Sequence, residues 1–125
     1  MTIAFWCVFS AILLPYVWTI VAKAGPTPYD NNSPREFCEA QTGYRQRAYW
    51  AAQNSFESLP VFAAAVIIAY LVGVIAPATL NCLALAFIAC RILHGILYLL
   101  DWASLRTFIW LIAQGCIVAM FVLSA

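Results

Sequence analysis

Arg47, Asn54 and Glu57 stand at i, i+7 and i+10 in the stretch RQRAYWAAQNSFESLPVF (residues 45–62). Further on, Arg91, His94, Tyr98 and Asp101 stand at i, i+3, i+7 and i+10. At ~100° per helical residue each set falls within an arc of ~80°. The sequence around both sets is apolar, and ionisable side chains in such a setting are costly unless they face a protein interior or a wet cavity. Together they present cations, one carboxylate and several neutral donors. The ligand that matches carries carboxylates and an ammonium, as an amino acid or peptide-like zwitterion does. Arginines would take the carboxylates and Glu57 the ammonium. The apolar surroundings would let a second, lipophilic substrate arrive through the bilayer.

Depth supports a shared site. If the two helices are antiparallel and both touch one membrane face, at Arg47 and near Asp101, then Glu57 and Arg91 each lie ten residues in, or ~15 Å. Asn54 and His94 each lie seven residues in, or ~10 Å. Two polar faces at equal depth predict one cavity, open to the cytoplasm and closed near mid-membrane. The plainer alternative is that Glu57 and Arg91 neutralise each other as a helix fastener. A fastener needs two residues, whereas six polar side chains converge here. A metal is not indicated: Cys90 and His94 are i, i+4, but no third ligand of suitable spacing follows.

The elements that must carry these residues are membrane helices. Of 125 residues, 66% are hydrophobic and 9% charged, against roughly 25% charged in soluble domains. Residues 2–22, 58–90 and 107–125 contain no charge. A span takes about 20 apolar residues. The charge-free stretch 58–90 is too long for one span, and VGVIAPAT, with Gly73 and Pro77, divides it. The expectation is an all-α, integral membrane four-helix bundle with spans at about 2–22, 47–73, 77–100 and 105–124. A net charge of +1 offers no basic face for nucleic acid. The five cysteines include no CxxC pair, and those in apolar runs read as small hydrophobes rather than a disulfide framework. Ala22-Lys23-Ala24 has the look of a signal-peptide cleavage site. No positive charge precedes it, however, and the apolar run exceeds the 7–15 residues of a signal core, so the first span is read as retained.

The loop 23–46 carries three of the six prolines and cannot be one continuous helix. SPREF within it can start a short helix, with Ser33 as N-cap and Pro34 at N1. Lys23, Arg35, Arg45 and Arg47 cluster at this loop and Arg106 borders the third link, while the other face has neither Lys nor Arg. The positive-inside rule therefore puts these two links in the cytoplasm and both termini on the non-cytoplasmic side. Ala65, Ala69 and Gly73 recur every fourth residue, a spacing that lets helices approach closely, either within one bundle or at an oligomer seam.

Taken together, RAYWAAQNSFESLPVF, CRILHGILYLL, SLRTF and the pair AQ at 113–114 resemble the membrane-associated proteins in eicosanoid and glutathione metabolism, the MAPEG family. The second-helix signature is the most specific part, and the last two segments are similar to the microsomal prostaglandin E synthase and glutathione transferase branch. The resemblance implies a single transmembrane domain over residues 1–125, a homotrimer, and glutathione bound between subunits near the cytoplasmic face. By it, Arg47, Asn54 and Glu57 hold glutathione from one helix, and Arg91, His94 and Tyr98 contribute from the next. Arg106 would lie near the sulfur and favour the thiolate, with Thr107 where that branch carries a Ser. Lys23 loosely matches a functional Arg at the end of the first helix. Gln53 replaces an Arg of the prostaglandin branch, which argues against prostaglandin substrates.

The chemistry implied is a glutathione-dependent transferase or peroxidase acting on lipophilic electrophiles, with no metal, in a bacterial inner membrane or the endoplasmic reticulum. Arg106 also has a simpler reading, as an interfacial anchor. A non-catalytic lipid-binding scaffold of the same fold is the alternative function. A small proton-coupled transporter would need a polar path to both faces, and the uncharged far halves of spans two and three do not provide one.

Overall fold

The computed structural model describes all residues, 1–125, and its only regular secondary structure is α-helix. Its elements are α1 (Ile3–Lys23), α2 (Pro34–Glu39), α3 (Gly43–Val72), α4 (Pro77–Leu99) and α5 (Ala103–Val122). Four of these, all but α2, are long and apolar enough to cross a membrane. The chain is therefore an integral membrane four-helix bundle, as expected. α1 packs along α3, α4 along α5, and α3 and α1 both lie on α4.

The punctuation residues act where their chemistry requires. Gly73 ends α3 in the left-handed conformation (φ +72°), its N–H bonded to the Ala69 carbonyl, and Pro77 sits in the first turn of α4. Pro34 opens α2 with Ser33 at the N-cap position, but the Ser33 hydroxyl makes no capping bond. α3 begins at Gly43 rather than near 47. Its 30 residues make it ~45 Å long, longer than a ~30 Å hydrocarbon core, so one end projects beyond the apolar layer.

α1 buries Ala4, Cys7, Ala11, Pro15, Trp18 and Ala22, a three- and four-residue spacing that makes one stripe. α3 answers with a stripe that runs from Arg45 and Ala48 through Ser55 and Phe62 to Ala69. Ala65 and Ala69 are each 1% exposed and belong to this intramolecular core, so the small-residue spacing serves helix packing within the protomer. Away from the long loop the core is a cluster of fifteen buried apolar residues. Its centre is Phe62 stacked on Phe87, centroids 3.9 Å apart. Toward the loop the interior changes character, and Ser55, Arg91 and His94 become the buried residues.

Candidate functional site

Three helices bring the polar residues together. The RQR sequence at the start of α3 sets the register. Arg45, 7% exposed, donates from Nε to the Ala22 carbonyl at 3.1 Å and from Nη2 to that of Lys23 at 3.2 Å. Two residues on, Arg47 donates from Nε to the Tyr98 carbonyl and from Nη2 to that of Leu99, both at 3.0 Å. The first arginine thus satisfies the end of α1 and the second the end of α4, where carbonyls lack helical partners and the dipole favours a cation. In the sequence Arg45 reads only as one of the charges that orient the chain. Its position beside Arg47, two residues into a helix that runs between two others, is the signal for this double clamp.

This register corrects the depth matching. The count from Asp101 assumed a helix reaching that residue, but α4 ends at Leu99, and Asp101 stands outside it with φ +61°. Arg47 is level with Tyr98 and Leu99, so Arg91 falls level with Asn54 and Ser55 rather than with Glu57. Arg91 Nη2 donates to Asn54 Oδ1 at 2.8 Å and approaches Ser55 Oγ at 3.4 Å. Asn54 in turn directs its Nδ2 to Glu57 Oε2 at 3.5 Å. Asn54, not Glu57, is the hydrogen-bond partner of Arg91, and the asparagine relays between cation and carboxylate.

The residues form two layers. Arg91 (1% exposed) and His94 (4%) lie behind the surface. Arg91 Nε and Nη1 and His94 Nδ1 are buried without a protein partner. In front stand half-buried Asn54, Tyr98 and Arg106, with exposed Glu57 and Thr107. Tyr98 links the layers. Its ring meets His94 edge-on at 5.2 Å, and the Arg106 guanidinium lies over it at 4.0 Å, a cation–π contact. Thr107 donates its hydroxyl to the Ala103 carbonyl at 3.1 Å, within its own helix. The eight expected residues thus lie on α3, α4 and the start of α5, but they do not enclose one cavity inside the protomer: α3 and α4 pack directly through Asn54, Ser55 and Arg91.

Ser55 and the Trp18–Gly95 pair were not anticipated. Trp18 is 6% exposed and packs with Ala51, Ala52 and Tyr98. A Cβ on Gly95 would run into its indole. Gly95 therefore lets α1 press on α4 beside His94. A glycine directly after the histidine, inside an otherwise bulky apolar helix, was the available sign.

The front layer offers one carboxylate and one cation to whatever lies against it. Exposed Glu57 would accept from an ammonium, while half-buried Arg106 suits a carboxylate or thiolate and buried Arg91 holds the Asn54 amide between them. No cluster of three His, Cys, Asp or Glu side chains is placed to hold a metal. No curated protein and no solved structure matches the chain. The model of the MAPEG family matches residues 3–125, nearly the full length. By that match, and by the four spans with their polar α3–α4 layer, this chain belongs to the MAPEG family.

Proposed function

We propose that the protein is a glutathione-dependent membrane transferase or peroxidase acting on lipophilic electrophiles, working as a homotrimer with glutathione between protomers. The observation that carries this reading is Glu57. It is an exposed carboxylate on the outer face of a membrane-spanning helix. A bare carboxylate facing lipid is costly. A second copy of the chain covering this face, with a cationic ligand group against Glu57, removes that cost.

In this reading Glu57 and Asn54 hold the glutamyl end of glutathione, and Arg91 keeps the Asn54 amide turned outward. Arg47 fixes the last turn of α4, and with it Tyr98. His94 supports the Tyr98 ring from behind. Arg106, free on the side away from Tyr98, favours the thiolate over the thiol, because a nearby cation stabilises the charged form. Thr107 offers a hydroxyl one residue further along α5. The glutathione thiolate then attacks a substrate arriving from the bilayer. At an activated double bond the C–S bond forms as the π bond breaks, and the carbanion takes a proton from water. At a carbon bearing a leaving group, that group departs with the bonding pair. With a hydroperoxide the O–O bond breaks to leave an alcohol and a glutathione sulfenic acid, which a second glutathione converts to the disulfide and water. The protein binds, orients and stabilises negative charge. The cluster of Lys and Arg at the 23–47 end supports a cytoplasmic location for that end, with both termini on the other side. Gln53, one turn before Glu57, supplies no cation, which speaks against prostaglandin substrates.

The test is calorimetric titration of the detergent-purified protein with glutathione, beside Glu57→Gln, with ultraviolet thiolate absorbance read near neutral pH. Binding in the parent, lost in Glu57→Gln, together with a thiolate band, is the expected result. No binding by a well-folded parent overturns the proposal and leaves the scaffold reading.

A further inference from the structure

Glutathione carries two carboxylates, one ammonium and a thiol that reacts as the thiolate. The front layer meets it with one carboxylate, Glu57, and one cation, Arg106. The glutamyl end and the sulfur are thereby provided for, and the glycyl carboxylate is not. Two side chains on the same face of α3 have no part in that arrangement.

Trp50 stands three residues after Arg47, four before Asn54 and seven before Glu57. At ~100° per residue its direction falls inside the ~80° arc that runs from Arg47 to Glu57. It is 46% exposed, although α3 packs on both α1 and α4. Arg47 binds the Tyr98 and Leu99 carbonyls through Nε and Nη2, and its Nη1 remains for a ligand.

A tryptophan near a membrane boundary is commonly an interfacial anchor that faces lipid. Trp102, 58% exposed beside the α4–α5 turn, fits that role. Trp50 does not, because its face also carries the Glu57 carboxylate and the Asn54 amide, and such groups are costly against hydrocarbon. A ligand that covers Glu57 lies along the same face as Trp50.

Length selects the part of the ligand that Trp50 meets. Seven residues separate it from Glu57, or ~10 Å along α3. An extended tripeptide also spans about 10 Å. With its ammonium at Glu57, glutathione lying toward the cytoplasm brings its glycyl end level with Trp50. The indole offers a flat surface to the cysteinyl–glycyl peptide plane and one N–H to a carboxylate. Arg47 supplies the opposing charge.

We propose that Trp50, with the free edge of Arg47, recognises the glycyl end of glutathione and so sets a preference for the tripeptide over shorter thiols. The inference rests on glutathione being the ligand.

The experiment is calorimetric titration of the detergent-solubilised full chain with three thiols. These are glutathione, γ-glutamylcysteine, which lacks the glycine, and glutathione ethyl ester, which masks its carboxylate. Each is titrated into the parent, Trp50→Phe and Trp50→Leu, with assembly read by size-exclusion chromatography. The parent should bind glutathione about tenfold more tightly than either of the others, as one charge-assisted hydrogen bond allows. Trp50→Leu should lose most of that preference and keep the parent's affinity for γ-glutamylcysteine. Trp50→Phe, with a ring but no N–H, should fall between. A parent that binds all three thiols equally overturns the proposal. So does a Trp50→Leu variant with the preference intact, which makes Trp50 an anchor. Equal loss of all three thiols, or a changed assembly, overturns it as well, because a residue that supports the whole site or a contact between copies does not discriminate the glycyl end. No binding of any thiol by a folded parent is a different failure: it sinks the glutathione reading itself, and this inference with it.

Discussion

Arg91 and Asn54 are joined by a 2.8 Å hydrogen bond between a guanidinium that is 1% exposed and a side-chain amide oxygen. This one contact ties α4 to α3 at the level where the core turns from apolar to polar. It also decides which way the asparagine amide points, toward Glu57.

Replacing Asn54 with Leu strands the buried guanidinium and should lower stability by about 2 kcal/mol, the cost of losing a hydrogen bond to a charged group. Asn54→Asp keeps an acceptor and adds a charge opposite Arg91, so it should retain stability. Thermal unfolding of the two detergent-solubilised variants checks the pair. If Asn54→Leu is as stable as the parent, the contact does not fasten the helices. Arg91→Met should fold, since an apolar side chain of similar length replaces a buried charge at little net cost.

Arg106 should set the pH dependence. A cation beside a thiol lowers its pKa, so the thiolate persists below the ordinary thiol range, and removing the cation moves the thiolate band to higher pH. Arg106→Leu should shift the absorbance midpoint of bound glutathione upward by about one to two units, with Arg106→Lys between. A midpoint that does not move would leave Arg106 as an interfacial anchor over the Tyr98 ring.

Gly95→Ala should be unusually harmful for a helical glycine. The added methyl collides with the Trp18 indole, and overpacking of this kind costs about 1–3 kcal/mol. Gly115→Ala is the control. Nothing lies within 4 Å of its added Cβ, and helix propensity favours alanine there by up to about 1 kcal/mol. Trp18→Leu should rescue Gly95→Ala, read as a non-additive double-variant cycle in melting temperature.

Cys38, 2% exposed on α2, should resist alkylation at neutral pH. Burial raises its thiol above the ordinary value, against the lowering effect of Lys23 and Arg45. The folded state therefore favours the neutral thiol. That contribution to stability is complete below the thiol pKa of the unfolded chain and declines as pH rises past it. Iodoacetamide labelling followed by peptide mass mapping should find Cys38 slow at pH 7 and faster only in alkaline solution or after unfolding. Rapid labelling at pH 7 would show that α2 opens.

The fold was legible because a membrane leaves few solutions. Charge-free runs of about 20 residues must be helices, and Gly73 with Pro77 marked the one turn hidden inside an apolar stretch. α2 was announced by Ser33 and Pro34. Arg47, Asn54, Glu57, Arg91, His94 and Tyr98 were legible for a related reason, as polar side chains on two faces of otherwise apolar helices, whereas Arg106 and Thr107 entered only through the family resemblance. The shared faces of the first six followed from helical spacing alone.

Spacing within one helix says nothing about the offset between two, and there the tertiary structure decided. The level of α4 against α3 depends on where α4 stops, which Arg47 settles by binding the Tyr98 and Leu99 carbonyls. A shift of two to three residues makes Asn54 the partner of Arg91 and leaves Glu57 on the outer face. The sorting into a buried layer of Arg91 and His94 and a front layer of Glu57, Tyr98 and Arg106 has the same origin, because which arc of a helix faces a neighbour is a property of the packed bundle. By itself, the sequence determined which residues are out of place in a membrane. Contact between helices determined what each of them meets.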